Sequence, residues 1–167
     1  MRNLLSKTVS TPLQDLALLA ARVLLGVVLL AHGWQKLDQN GLHATAAGFD
    51  SMGIPAPLAS AYYATFVELV GGALLVAGLL TRLVAVLVVG DMLGAFWFAH
   101  RGTEVFADQG GWELVGLIGG VAFALVAAGA GRLSVDAGFT KATGVALAPG
   151  SVPADGQAHG EKDLISR

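Results

Sequence analysis

Four apolar runs, residues 16–34, 58–80, 83–100 and 112–131, each carry an ionisable side chain where hydrocarbon is expected. Arg22, Glu68 and Asp91 lie inside the first three, and Glu113 lies just inside the fourth. An α-helix rises about 1.5 Å per residue, so roughly 20 residues cross the hydrocarbon layer of a bilayer. The runs match that length. A charge at the centre of such a helix costs about 2.5–3.5 kcal/mol even on the mildest insertion scale, so these groups are expected to face one another. The pattern predicts an all-α, four-helix transmembrane bundle with a polar interior.

Composition agrees. Only 13% of the 167 residues are charged, against roughly 25% in an average soluble protein. The 23 glycines suit helices whose backbones approach closely. A net charge of −2 gives no reason to expect nucleic acid as a partner. The chain has no cysteine, so disulfides, thiol chemistry and cysteine-held iron–sulfur clusters are excluded. The apolar stretch after Arg2 and Lys7 contains Arg22 and precedes three more runs, so it reads as a first span and not as a cleaved leader.

Charge and aromatic placement predict the orientation. Arg2, Lys7, Arg82, Arg132 and Lys141 gather near one set of span ends, with only Lys36 and Arg101 at the other. Positive charge favours the cytoplasmic side, which puts both termini there. Trp34, Trp97, Trp112, Tyr62 and Tyr63 fall at the opposite, outer ends, as an interfacial belt. The chain divides into a cytoplasmic N-terminal segment (1–15), a membrane domain (16–136) and a polar tail (137–167) expected to be largely disordered. Residues 42–52 predict a short interfacial helix, with Gly53 as a left-handed cap and Pro55 and Pro57 preventing its continuation.

The spacing of small residues predicts which faces meet. Arg22, Gly26, Gly33 and Lys36 share one side of the first helix, and Glu68, Gly71, Gly72 and Leu75 share one side of the second. Gly90 and Gly94 flank Asp91, while Gly116 and Gly120 follow Glu113. Each acid is therefore expected at a helix contact. Arg22 lies roughly 9 Å from the start of its run, and Asp91 roughly 12 Å from its own inner end. These depths predict a buried Arg22–Asp91 pair, with Glu68 also in reach of the arginine. Such a trio either fixes helix register or serves a ligand or a proton. His32, Lys36, His100 and Glu113 form a second, outer polar cluster. Its histidines lack the His-x-x-His or Glu-x-x-His spacing of a helical metal site, so interfacial anchoring is expected there and no metal. The tetrapeptide Glu68-Leu69-Val70-Gly71 returns as Glu113-Leu114-Val115-Gly116, a hint of two related hairpins.

These residues resemble a known family. An arginine in the first helix is followed by His32-Gly33-x-x-Lys36, Glu68-x-x-Gly71-Gly72, Gly78-Leu79-Leu80-Thr81-Arg82 and Gly131-Arg132-Leu133-Ser134-Val135-Asp136. Together they look like the DoxX family of small bacterial four-helix membrane proteins, over about residues 17–136. The resemblance implies a multi-pass protein of the bacterial cytoplasmic (plasma) membrane tied to redox metabolism or oxidative stress, linked to quinone chemistry or to a membrane oxidoreductase assembly. It carries no defined catalytic residue set.

The chain contains no self-contained catalytic motif, no dinucleotide fingerprint and no intrinsic cofactor site. The expected role is accessory: binding a quinone-like small molecule at Arg22, Glu68 and Asp91, or scaffolding an oxidoreductase. The expected partners are membrane lipid, an oxidoreductase or other membrane subunit, and a second copy of the chain. The alternatives are a small proton-coupled transporter and a purely structural assembly factor.

Overall fold

The computed structural model describes residues 11–143. Helix α1 (Thr11–Trp34) continues without interruption into one wide π-helical turn, Gln35–Gln39. A short helix α2 (Leu42–Ser51) follows, then α3 (Pro57–Ala77), α4 (Thr81–Ala95) with its own wide terminal turn Phe96–His100, α5 (Glu113–Ala128) and α6 (Val135–Thr143). No strand occurs among the described residues. Three helical stretches, Pro12–Gln39, Pro57–Ala77 and Thr81–His100, are long and apolar enough to cross a membrane. Helix α5 is apolar but shorter, at 16 residues.

The chain punctuates these helices where local chemistry requires it. Gly53 takes φ +73° after α2, as its left-handed cap should, and Pro57 opens α3 where a missing N–H costs nothing. Gly78 takes φ +70° at the end of α3, and Leu80 enters α4 at φ +53°, a conformation a non-glycine residue rarely adopts. Two elements differ from expectation. α1 begins at Thr11, inside the segment expected to precede the first span. The tail expected to lose order after Asp136 instead forms α6 as far as Thr143. Residues 144–167 and 1–10 lie outside the described residues.

Helix α1 packs along α3, and α4 along α5; lesser contacts join α3 to α4 and α1 to α5. The four helices thus close a ring in which α1 and α4 occupy opposite corners. Gly26 and Gly72 mark the tightest contact: a Cβ on Gly26 would lie 2.6 Å from the Gly72 carbonyl oxygen, and one on Gly72 would lie 2.8 Å from that of Gly26. Gly33 is equally closed off by Leu69 and Glu68. The small-residue reading therefore holds for α1 and α3. It fails for Gly94 on α4 and Gly120 on α5, where an added Cβ would meet nothing. The core between the helices is aliphatic, with Leu29, Leu75, Val88, Ala122 and Leu125 almost wholly buried. Burying each such leucine or valine contributes roughly 1.5–3 kcal/mol where the alternative is water, and dispersion and close packing carry the contact where the alternative is lipid.

Candidate functional site

The ionisable residues sort into two ends of the bundle, and the sorting differs from the one their depth suggested. Arg22 is fully buried but reaches neither Glu68 nor Asp91. Its guanidinium donates to the Leu75 carbonyl (3.4 Å), in the last turns of α3, and to the Leu133 carbonyl beyond α5. The physical reason is the ring order: Asp91 sits on α4, diagonally across from α1, so equal depth could not make them partners.

Around Arg22 two of the motif segments interlock. The Asp136 N–H donates to the Gly78 carbonyl (2.9 Å). In return the Asp136 carboxylate accepts the N–H groups of Leu80 (2.8 Å) and Thr81 (3.1 Å). Those donors open α4, so Asp136 caps that helix from a distant part of the chain. A side chain on Gly78 would fall on the Arg22 guanidinium. Nearby, Asp15 accepts from Arg132 through its backbone N–H (3.0 Å) and its Nε (2.6 Å). Arg82 donates to the Ala127 carbonyl near the end of α5 (3.2 Å). Most polar side chains here are engaged by backbone termini or a neighbouring ion, while Arg22 Nε and the buried Thr81 hydroxyl have no partner among the described residues. These contacts join α1, the end of α3, the start of α4 and the segment before α6 around Arg22.

The other ionisable group lies toward the tryptophan end. Lys36, on the wide turn that extends α1, places its Nζ 2.6 Å from Glu68 Oε2. Glu68 stands near the middle of α3 and its side chain is 6% exposed; that of Lys36 is 21% exposed. Asp91, from α4, has no ion-pair partner within 4 Å among the described residues, yet it interacts electrostatically with both Glu68 and Lys36. Tyr63, one turn outward on α3, donates its hydroxyl to the Leu87 carbonyl (3.1 Å) and lies in the electrostatic range of Asp91. His32 is half-buried beside Lys36. Three helices thus contribute one ammonium and two carboxylates to a single cluster.

The expected outer quartet is therefore split. Lys36 and His32 belong with Glu68. His100 and Glu113 instead hold the loop between α4 and α5: His100 Nδ1 pairs with the Gly110 carbonyl (2.9 Å), and Glu113 accepts the Ala107 N–H (2.8 Å). Glu113 thus serves a different purpose from Glu68 despite their shared tetrapeptide. Thr65 was not singled out by its sequence context. It lies one turn before Glu68 on the same face of α3, is fully buried, and its hydroxyl has no partner among the described residues. The signal that could have found it is the i, i+3 spacing to Glu68. No three His, Asp or Glu side chains among the described residues converge as a metal-binding group.

The chain is similar to several known bacterial proteins. The chain is 36% identical over 81 residues to the Bacillus subtilis protein named "Putative oxidoreductase CatD", covering 48% of this chain and 58% of that one. It is 31% identical over 126 residues to the inner membrane protein YphA of Escherichia coli, covering 71% of this chain and 87% of YphA. It is 40% identical over 82 residues to the membrane protein Rv3486 of Mycobacterium tuberculosis, covering 47% of this chain and 48% of Rv3486. The matches thus span little more than half of CatD and about half of Rv3486. No solved structure gives a significant match. Residues 17–101, which carry Arg22, the Lys36–Glu68 pair and Asp91, match the DoxX family. This multi-pass bacterial membrane protein belongs to the DoxX family.

Proposed function

We propose that this DoxX-family protein is an accessory component of membrane redox or oxidative-stress metabolism that binds a quinone-like small molecule beside Lys36, Glu68 and Asp91. The observation that carries the reading is the buried Lys36–Glu68 ion pair with Asp91 beside it, between three helices of an otherwise aliphatic bundle. Membrane spans seldom carry such groups without use for them. A quinone ring needs an apolar slot with a few hydrogen-bonding groups for its two oxygens, and Lys36 and Thr65 are donors of that kind. The name of the CatD relative supports the redox context. Electrons would come from an oxidoreductase subunit or a diffusible quinol; the chain has no cysteine to hold an iron–sulfur cluster.

The distribution of side chains supports an orientation with both termini in the cytoplasm. Arg82 and Arg132 mark the Arg22 end, whereas Trp34, Trp97 and Trp112 mark the end nearer Lys36. In that orientation the Lys36 cluster opens outward.

The test is a titration of the purified full chain in detergent with a short-chain ubiquinone and a short-chain menaquinone, followed by tryptophan fluorescence. Saturable quenching is expected, because Trp34 lies two residues from Lys36. Glu68→Gln should weaken the apparent affinity at least tenfold. The absence of saturable quenching with both quinones would overturn the reading.

A further inference from the structure

Lys36, Glu68 and Asp91 converge from three elements as one cation and two acids. Lys36 is committed to Glu68 at 2.6 Å, and both carboxylates lie in the field of the same ammonium. Asp91 also feels the like charge of Glu68. With both acids ionised the cluster would carry a net negative charge among aliphatic side chains, where an uncompensated charge costs several kcal/mol. Among the described residues no second cation pairs with it. Arg22 is committed to the Leu75 and Leu133 carbonyls at the other end of the bundle, and Arg101 sits over the Trp97 ring on the surface.

The remaining groups around the cluster do not supply the missing charge. On α1, His32 is half-buried beside Lys36. On α3, Tyr63 is occupied with the Leu87 carbonyl. Helix α5 offers only Glu113, which is engaged by the Ala107 N–H, and α2, packed on α3, offers His43 and Asp50, both exposed. One further polar group lies on this face of α3. Thr65 is fully buried on the Glu68 face of α3, and its hydroxyl, which can both donate and accept, has no partner among the described residues.

We propose that Lys36, Glu68 and Asp91, with the Thr65 hydroxyl, form a proton-exchange site that holds one proton per chain. Lys36, a fifth exposed, is the point of contact with water at the tryptophan end. The site follows a simple charge count. One ammonium neutralises one carboxylate, and the proton neutralises the other. The proposal uses the same side chains as the small-molecule reading but does not depend on it.

The experiment is infrared difference spectroscopy of the full chain in lipid nanodiscs, titrated with acid and base in the absence of any quinone. The wild type should show one protonated-carboxyl band that responds to pH and shifts in heavy water. Asp91→Asn should abolish it, because Lys36 then balances Glu68 alone. Glu68→Gln should abolish it too, because Lys36 becomes free for Asp91. Lys36→Met should raise the count from one proton to two. Circular dichroism selects the variants that remain folded, and Asp91→Asn suffices if Glu68→Gln does not fold, because Asp91 holds no ion pair among the described residues. A wild type without such a band, or a band that survives in Asp91→Asn, overturns the proposal. Failure of quinone binding leaves this titration unchanged, so the two readings fall separately.

Discussion

Lys36 and Glu68 lie 32 positions apart in the chain and 2.6 Å apart in space, the one at the rim of the bundle and the other near the middle of α3. The long lysine stem lets a charge anchored at the rim serve an acid in the interior. Removing one member of a buried pair costs about 3–5 kcal/mol when the other keeps its charge without a partner, and less when a neighbour or a proton balances it. Lys36→Met and Glu68→Leu should therefore each destabilise the protein by less than that amount, while the double variant should be more stable than their sum predicts. Unfolding in detergent, arranged as a double-mutant cycle, measures the difference.

Arg22 is expected to matter for folding and not for the ligand site. Its loss frees the Leu75 and Leu133 carbonyls, and hydrogen bonds from a charged donor contribute about 1.5–3 kcal/mol each. Arg22→Leu should lower the melting temperature substantially. The fraction that folds should respond to quinone as the wild type does, which fluorescence titration of the monodisperse fraction would check.

Asp136 acts through α4. Asp136→Ala removes the acceptor for the N–H groups of Leu80 and Thr81, and loss of such a cap costs about 0.5–2 kcal/mol. Asp136→Asn retains one oxygen acceptor and should lose less. Amide hydrogen exchange at the start of α4 should rise in the alanine variant first.

The glycines separate into two groups by what surrounds them. Gly26→Ala and Gly72→Ala would push the α1 and α3 backbones apart, and overpacking of this kind costs about 1–3 kcal/mol. Gly94→Ala and Gly120→Ala meet open space and gain helix propensity, so they should be neutral or mildly stabilising. Thermal unfolding of the four variants side by side tests the α1–α3 contact directly.

Much of the architecture was legible in the order of residues. Hydropathy alone marks the long helices, because a backbone in lipid must satisfy its own hydrogen bonds and only a long apolar helix does so. The short helix before Gly53 was legible too, since glycine and two prolines there leave few other conformations. The glycine faces of α1 and α3 followed from helical period, and the motif residues led to the family.

What the order of residues could not decide was which charges meet. Depth along a helix is a property of one segment and can be counted, but partnership depends on which helices are neighbours and how each is turned about its axis. Arg22 and Asp91 match in depth yet stand on diagonal helices, whereas Lys36 crosses from rim to interior because its stem is long and α3 lies beside α1. Likewise the same Glu-Leu-Val-Gly sequence became a buried acid in α3 and a loop cap at α5. Period and hydropathy are local, and so the chain alone determined its helices. The pairing of charges is a cooperative outcome of packing four of them together, and only the tertiary structure decided it.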